Sequence, residues 1–191
     1  MTINYFEDKT FDKRNGSAQN LEKGEYENCR FTNCDFSEAD FNEFQFSDCD
    51  FVDCNLSLSK VQKTAFRDVR FKNCKILGVL FDGCNTFGLQ LAFTNCMMNH
   101  TSFFKLNLQK TAFRNCQLIE SDFTETNLNS TLFDECDLTG ATFYYTNLEK
   151  ANLRTARNYS IDPEQNRIAK AQFSLTEIHG LLHKYGIVIH T

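Results

Sequence analysis

The sequence contains no tryptophan, only one proline and no long apolar run. A membrane-spanning helix needs about 20 consecutive apolar residues, and no stretch of this chain approaches that length. The amino-terminal segment carries Glu7, Asp8 and Asp12 and lacks the apolar core of a secretory signal peptide. We therefore expect a cytoplasmic protein that makes no contact with a membrane.

Signals of catalysis are also scarce. The sequence has neither a glycine-rich phosphate loop nor a GxSxG segment. His179 and His183 have a spacing that zinc sites use, but the HGLLH segment lacks the glutamate of the HExxH motif. We expect no catalytic residue, no metal site and no cofactor, and hence a protein that is not an enzyme. The two histidines are interpreted as solvated or partner-facing, and a pH- or metal-sensitive regulatory switch is the alternative.

Nine cysteines occur without any CxxC pair. Such a number would ordinarily suggest a metal site or a redox centre. Here the cysteines fall at multiples of five residues from one another within each half of the chain, as at Cys34, Cys54 and Cys74 and again at Cys96, Cys116 and Cys136. This register predicts free thiols that serve as small buried apolar residues.

What the sequence does contain is a repeat of five residues. From position 93 to position 153 an apolar residue occupies every fifth position, which neither a helix nor an ordinary strand explains. A small or compact residue stands two positions earlier in almost every case. The apolar positions are Phe93, Met98, Phe103, Leu108, Phe113, Leu118, Phe123, Leu128, Phe133, Leu138, Phe143, Leu148 and Leu153. A fixed repeat of this kind predicts a solenoid.

The five-residue repeat also indicates how the chain is divided into a cap, a solenoid and a carboxyl-terminal module. Residues 1–20 are predicted to form an irregular amino-terminal cap, and 21–173 the solenoid, with interruptions at 82–92 and 157–165. The first interruption adds two residues to the frame and places Phe87 at its tip. Residues 174–191 are predicted to form a short α-helix, which begins with the capping box Ser174 to Glu177, followed by a terminal strand at 187–189.

The repeat resembles the pentapeptide-repeat family, whose pattern is seen in CRFTN at 29–33, ADFNE at 39–43 and SDFTE at 121–125. This resemblance implies an all-β solenoid, a right-handed four-sided β-helix with four pentapeptides per coil. Recurrence of phenylalanine at 93, 113 and 133 agrees with a coil of 20 residues.

The carboxyl end is similar to that of the topoisomerase-protecting subgroup, which includes Qnr-type quinolone-resistance proteins and the self-immunity proteins McbG and AlbG. DPEQNRI at 162–168, LQKTAF at 108–113 and YGIVI at 185–189 most resemble McbG, and VDCNLSLS at 52–59 most resembles AlbG. The resemblance implies a homodimer joined through the carboxyl-terminal module. Its predicted interface residues are Leu175, Ile178, Leu181, Leu182, Tyr185 and Ile187.

The subgroup further implies a DNA-mimicking protein that binds DNA gyrase or topoisomerase IV, without binding nucleic acid directly, and relieves poisoning by a toxin or a fluoroquinolone. The net charge of −5 fits such a role, because an acidic rod can present carboxylates where a basic groove expects phosphates. The candidate contacts are Glu38, Asp40, Glu43, Asp48, Asp50, Asp53, Asp82, Phe87, Asp122, Glu125, Asp134 and Glu135.

The sequence leaves open one alternative to the topoisomerase function, and one choice of poison within that function. The acidic residues can be a solvated surface that serves solubility, in which case the rod is an interaction scaffold without any role at a topoisomerase. The chain also lacks the two long loops of Qnr-type proteins, and this difference favours immunity to a gyrase-targeting natural product over quinolone protection.

Overall fold

The computed structural model describes residues 4–13 and 21–188. Within these ranges the chain is a β-solenoid, which confirms the predicted fold. Its short strands are β1 (Asn4–Glu7), β2 (Thr10–Asp12), β3 (Gly24–Glu27), β4 (Arg30–Thr32), β5 (Gln45–Ser47), β6 (Asp50–Val52), β7 (Ala65–Arg67), β8 (Val69–Lys72), β9 (Leu91–Thr94), β10 (Ala112–Arg114), β11 (Leu132–Asp134), β12 (Asn152–Leu153) and β13 (Gln172–Phe173). No helix of the described residues is both long and apolar enough to cross a membrane.

The strands form two parallel sheets that run along the rod. One sheet contains β1, β3, β5 and β7, and the other contains nine strands from β2 through β4, β6 and β8 to β13. Phe31 lies opposite Phe51 and Phe113 lies opposite Phe133, so the register between neighbouring coils is 20 residues. Each coil therefore holds four pentapeptides, as the resemblance implied.

The four sides of the coil are named here by the apolar residue at the centre of each pentapeptide. Face 1 has Phe6, Tyr26, Phe46, Phe66, Leu108, Leu128 and Leu148 at its centres. Face 2 has Phe11, Phe31, Phe51, Phe71, Phe93, Phe113, Phe133, Leu153 and Phe173. Face 3 has Phe36, Leu56, Ile76, Met98, Leu118 and Leu138. Face 4 has Leu21, Phe41, Val61, Phe81, Phe103, Phe123 and Phe143.

Stacked rings fill the axis of the solenoid. On face 2 the ring centroids of Phe93 and Phe113 are 5.2 Å apart and those of Phe113 and Phe133 are 5.1 Å apart, with nearly parallel planes. On face 4 Phe103 stacks on Phe123 at 5.2 Å. Burial of each such ring stabilises the fold by roughly 1.5–3 kcal/mol in transfer terms. The central residues of the solenoid thus form one continuous apolar core.

Where the small residue two positions before a centre is threonine or cysteine, it commonly makes a polar contact to the preceding coil. Thr126 Oγ1 donates to the carbonyl oxygen of Phe103 at 2.7 Å, and Cys136 Sγ contacts the carbonyl oxygen of Phe113 at 3.4 Å. All nine cysteines are buried free thiols, as the register predicted. Burial raises the pKa of the Cys49 thiol to about 12, so this sulfur stays protonated and unreactive at neutral pH.

The amino-terminal segment differs from the predicted irregular cap. β1 and β2 pair in register with the next coil, with Phe6 opposite Tyr26 and Phe11 opposite Phe31. Phe6 stacks on Tyr26 with centroids 4.7 Å apart, which explains why these residues join the solenoid. Residues 1–3 and 14–20 of the predicted cap lie outside the described residues.

The interruption at 82–92 is narrower than predicted. A 3₁₀ turn at Phe81–Gly83 and the buried Cys84 continue the wall of the coil, and β9 already begins at Leu91. Between residues 21 and 173, which the structure describes without a gap, only the loop 85–90 leaves the solenoid. Phe71 lies opposite Phe93, a step of 22 residues, so the loop absorbs the two extra residues and the register then resumes.

The predicted loop at 157–165 inserts no residue at all. Arg157 lies opposite Asp137 and Arg167 opposite Asn147, both at the normal step of 20. Tyr159 and Ile161 are buried here, and they replace the apolar centres that are missing at 158 and 163. The five-residue pattern of apolar centres is therefore interrupted in the sequence, but the coil still contains 20 residues.

The predicted carboxyl-terminal α-helix is wrong. Two 3₁₀ turns, Ile178–Leu181 and His183–Tyr185, stand in its place. The Ser174 hydroxyl does accept the Glu177 N–H at 3.2 Å, as the capping box predicted. Gly180 then holds the segment against the end of the solenoid, because its carbonyl accepts the Ile161 N–H at 2.9 Å and its α-carbon packs so closely on Tyr159 that a Cβ has no room.

The predicted terminal strand is likewise absent where the chain is described. Ile187 and Val188 are exposed and have no strand pairing, and Ile189 lies outside the described residues.

Candidate partner-binding surface

Several aspartates on the outside of the rod stabilise the turns of the coil. On faces 3 and 4 an aspartate directly before the centre accepts the backbone N–H two residues later. Asp40 Oδ1 lies 2.9 Å from the Asn42 nitrogen and Asp122 Oδ1 lies 2.8 Å from the Thr124 nitrogen. These carboxylates act within the fold in the manner of an Asx turn, so they are less available to a partner.

Other predicted contact residues are neutralised by bases one coil away. Asp50 lies 2.7 Å from the Arg70 Nε on face 2, and this pairing raises the pKa of the Arg70 guanidinium. Glu43 is paired with Lys23 and Lys63 on the preceding and following coils, and the hydrogen bond from Lys23 lowers the pKa of its carboxyl. On the same face Glu125 lies 3.6 Å from the ammonium of Lys105.

Weaker polar partners occupy two further carboxylates. Asp53 accepts a hydrogen bond from the Asn73 amide at 2.9 Å, and Asp134 accepts one from the Thr155 hydroxyl at 3.0 Å. Neither of these partners carries a charge that would balance the carboxylate.

Four predicted contact residues are exposed and have no ion pair or side-chain hydrogen bond within the described ranges. They are Glu38, Asp48, Asp82 and Glu135. Three of them stand at corners of the coil, with left-handed backbone angles φ of 58° at Glu38, 53° at Asp48 and 53° at Glu135. Glu43, Asp53 and Glu125 also stand at corners, so the feature that distinguishes Glu38, Asp48, Asp82 and Glu135 is that they make no ion pair or side-chain hydrogen bond with a described residue.

The predicted acidic residues do not form one stripe. Glu38 stands between faces 3 and 4, Asp48 between faces 1 and 2, and Glu135 between faces 2 and 3. Face 4 gathers the largest group, Asp40, Glu43, Asp82, Asp122 and Glu125. Lys60, Lys63 and Lys105 lie among them on the same face. The negative charge therefore surrounds the rod and has no single side.

The corner between faces 1 and 2 changes sign along the rod, which sequence reasoning did not find. Before the loop 85–90 this corner carries Asp8, Asp48 and Asp68, and after it Lys110, Lys150 and Lys170. All six have positive φ angles. Recognition of this column required a fixed register across the loop, and the 22-residue step supplies it.

The loop 85–90 presents an isolated apolar side chain. Phe87 is 79 % exposed, and its backbone N–H donates to Asn85 Oδ1 at 3.0 Å. Gly88 provides the positive φ of 69° that closes the loop, and the Gln90 N–H returns to the carbonyl of Phe66 at 3.0 Å. The loop is thus anchored at both ends and displays Phe87 to solvent, as the sequence predicted.

The predicted dimer-interface residues separate into two groups. Ile178, Leu181 and Leu182 pack against the solenoid core and close its carboxyl end. Leu175, Tyr185 and Ile187 point outward together with Val188, and Leu175 is 87 % exposed. The apolar stripe expected from a helix is divided because the 3₁₀ turns rotate successive side chains differently.

The described residues contain no group of three or more His, Cys, Asp or Glu side chains suited to a metal ion. Their outer surface instead displays charged corners, one aromatic loop and an apolar carboxyl end. Such features suit contact with a macromolecule.

The repeat itself decides the family. The family model described as a pentapeptide repeat region matches residues 25–92 and 90–182 of this chain. This chain belongs to the pentapeptide-repeat family.

The solved structures of QnrB1 share this fold. A trypsin-treated variant of QnrB1, a plasmid-mediated fluoroquinolone resistance protein, is 16 % identical with a TM-score of 0.62, and the match covers 100 % of both chains. Full-length QnrB1 is 17 % identical with a TM-score of 0.56 over 96 % of this chain and 100 % of that chain. HetL, a protein involved in heterocyst differentiation regulation in Nostoc sp. strain PCC 7120, is 14 % identical with a TM-score of 0.49 over 90 % and 84 %. No curated protein matches the sequence.

One signal in this pentapeptide-repeat sequence could have separated the aspartates that form turns from the acids at corners, although it does not show which corner acids are paired, as Glu43 and Glu125 are. Asp or Asn directly before a centre predicts an Asx turn, whereas an acid two positions after a centre stands at a corner. Asp40 and Asp122 belong to the first class, and Glu38 and Glu135 belong to the second.

Proposed function

We propose that this pentapeptide-repeat protein binds DNA gyrase or topoisomerase IV as a mimic of DNA and protects the enzyme from a poison. QnrB1, which shares the fold over its whole length, is a fluoroquinolone resistance protein. The observation that carries the proposal is the set of exposed carboxylates that make no ion pair or side-chain hydrogen bond with a described residue, Glu38, Asp48, Asp82 and Glu135. The protein would act by binding, in the cytoplasm, without catalysis or a cofactor.

The distribution of these groups suits a partner that encloses the rod. Duplex DNA is negative on all sides, and a topoisomerase contacts it within a basic groove. Charges at three different corners and on face 4 would meet such a groove from several directions, whereas a flat basic surface would reach only one or two of them. Complementary potentials of this kind accelerate association and weaken with salt.

The loop 85–90 supplies a contact that differs from the charged corners. Phe87 is an exposed aromatic side chain on an anchored loop, and aromatic side chains are frequent hot spots of protein interfaces. The loop 85–90 is the one segment that departs from the coil inside the described solenoid, and the chain lacks the two long loops of Qnr-type proteins. We therefore infer immunity to a natural-product poison of gyrase in preference to protection against fluoroquinolones.

We further propose that two copies associate through their carboxyl ends. Leu175, Tyr185, Ile187 and Val188 expose apolar surface beyond the residues that close the core. A second copy would bury this surface and double the length of the negative rod.

A scaffold without a topoisomerase is the second candidate, and the charge pairing along the faces favours it. Glu43 and Glu125 lie close to lysines, Asp50 lies between two arginines, and the corner between faces 1 and 2 becomes basic after the loop. A partner with a matching pattern of both signs would fit this surface without mimicry of DNA.

DNA supercoiling by purified gyrase, titrated with the protein, tests the proposal. The reaction is run without a poison, with a fluoroquinolone and with a peptide poison of gyrase. Restored supercoiling in the presence of the peptide poison is the expected result. Absence of both rescue and inhibition over a wide concentration range contradicts the topoisomerase function and leaves the scaffold.

A further inference from the structure

We propose that His179 and His183 form a site for a divalent transition-metal ion such as Zn²⁺ at the carboxyl end of the solenoid. This inference is independent of the topoisomerase function. The two rings have centroids 5.5 Å apart and planes inclined by 51°. Two imidazoles bound through Nε2 to one tetrahedral zinc ion, with Zn–N bonds of about 2.0 Å, have centroids about 5 Å apart. The separation of the rings therefore suits a shared ion.

Hydrogen bonds to the other ring nitrogen prepare both histidines for this role. His179 Nδ1 lies 3.2 Å from the backbone carbonyl oxygen of Thr176, so Nδ1 carries the proton and donates. His183 Nδ1 lies 3.2 Å from the hydroxyl oxygen of Ser160, and the tautomer in which Nδ1 donates to that oxygen is the one that leaves Nε2 free for a metal. A metal-binding histidine ordinarily has its second nitrogen engaged in this way, since the contact orients the ring and leaves Nε2 as the free donor atom.

The surroundings of the pair leave space for an ion. A cavity of about 320 Å³ is lined by His179, His183, Leu182 and Ile187. The nearby cation Lys184 is already paired with Asp162 and Glu164, 2.7 Å from each, and this pairing raises its pKa. No described His, Cys, Asp or Glu joins the pair as a third ligand, so the other coordination positions are open to water or to a group from a second molecule.

The two 3₁₀ turns bring the rings together even though the predicted α-helix is absent. His179 lies in the first turn and His183 begins the second, with Leu182 between them packed on the core. Imidazole nitrogen suits Zn²⁺, Cu²⁺ and Ni²⁺ better than Mg²⁺ or Ca²⁺, which prefer oxygen. The site is thus expected to select borderline transition metals.

Calorimetric titration of the full-length, tag-free protein with Zn²⁺ tests this site. We expect one saturable event, with one ion per chain or one ion shared by two chains. His179→Ala and His183→Ala should each abolish it. Ser160→Ala should weaken the affinity about 10- to 100-fold, as the loss of a second-sphere contact does.

His100→Ala is the matched control, because His100 is also exposed and has an acidic neighbour, Glu120, at 3.2 Å. Its affinity for Zn²⁺ should equal that of the unchanged protein. Urea midpoints of all variants establish that they fold. Absence of saturable binding in the unchanged protein, or binding that survives the double change at His179 and His183, overturns the proposal.

Discussion

Face 1 is built differently on the two sides of the loop 85–90. Before the loop, β1, β3, β5 and β7 form a sheet over a column of aromatic centres, with Tyr26 and Phe46 stacked at 5.5 Å. After the loop the centres are leucines, and the same face consists of turns joined by isolated bridges. Other faces keep one construction throughout, so face 1 shows what selects a strand or a turn within the same coil.

The residue directly before the centre differs between the two sides of the loop. It is Glu25, Gln45 and Ala65 in the strands, but Asn107, Asn127 and Asn147 in the turns. Each of these asparagines accepts a backbone N–H two residues later, at 3.1 to 3.3 Å. This contact supports the local turn, although Asn152 accepts the Arg154 N–H at 3.2 Å in the same way within β12.

Asp50 shows that the competing partner also matters. It precedes a centre on face 2 and lies in the strand β6, although aspartate can form the same turn. Its carboxylate is held instead by Arg70, with 2.7 Å between Asp50 Oδ1 and Arg70 Nε. An ion pair to the next coil therefore removes the carboxylate from the backbone and permits the strand.

The largest effect on stability is expected on face 1 before the loop, where the centres are aromatic. Phe46→Ala should lower the free energy of unfolding by about 3–5 kcal/mol, because the ring is buried between Tyr26 and Phe66. Urea denaturation measures this change. Phe87→Ala is the control, since the exposed ring should change stability by less than about 0.5 kcal/mol. Equal losses for the two variants would contradict the assignment of Phe46 to the core and Phe87 to solvent.

The second-largest effect on stability is expected on face 1 after the loop, where the chain forms turns. Asn127→Ala removes the bond to the Asn129 N–H and the amide contacts with Asn107 and Asn147, 2.9 and 3.0 Å long. Each such hydrogen bond is worth about 1 kcal/mol, so a loss of about 1–3 kcal/mol is expected.

The matching position before the loop provides the control for this change. Gln45→Ala should cost less than about 1 kcal/mol, because its hydrogen bonds join side chains at the surface and close no backbone turn. A larger loss for Gln45→Ala than for Asn127→Ala would show that the residue before the centre does not distinguish the two constructions.

The frame of five residues was sufficient to predict the solenoid and the buried thiols, because both depend on local spacing alone, whereas the coil length was implied by the family resemblance. The carboxyl-terminal helix was predicted wrongly, since the contact of Gly180 with Tyr159 is a long-range packing constraint that no helical pattern reveals. The amino-terminal strands were missed because 14–20 interrupt the frame in sequence, although Phe6 and Phe11 stack in register on the next coil.

The candidate site was less predictable than the fold. Residues that are neighbours in sequence, such as Asp48 and Asp50, stand on a corner and on a face, while Asp50 and Arg70 meet across coils. Runs of acids or bases in the sequence therefore become mixed columns in the structure, and only the register shows which carboxylates keep a free charge.

A smaller effect is expected from pH on the turns of face 3. Hydrogen bonds from Ser37 lower the pKa of the Asp35 carboxyl below its usual 3.8. For Asp137 burial acts to raise the pKa, but hydrogen bonds from Thr139 and Asn158 outweigh it and the pKa is lowered. Depressed carboxyl pKa values contribute stability above the unfolded value, and this contribution is lost as the pH falls through the folded value.

The urea midpoint should therefore decrease as the pH falls from about 5 to about 3. Asp35→Asn, which keeps a hydrogen-bond acceptor but does not titrate, should reduce the slope. A slope that is the same in the variant and in the unchanged protein would show that Asp35 does not contribute.

The central claim is that accessible carboxylates, and not acidic residues in general, bind a type II topoisomerase. Two quadruple variants with equal net charge test it by their affinity for purified gyrase at two salt concentrations. One neutralises the unpaired acids with Glu38→Gln, Asp48→Asn, Asp82→Asn and Glu135→Gln. The other neutralises paired acids with Glu43→Gln, Glu125→Gln, Glu149→Gln and Glu164→Gln.

The first variant is expected to bind gyrase about tenfold or more weakly than the unchanged protein and to lose most of the salt dependence, because both effects arise from unscreened charge. The second variant should bind nearly as the unchanged protein does. Equal affinity of the first variant and the unchanged protein, or no binding of gyrase by the unchanged protein, would contradict the account.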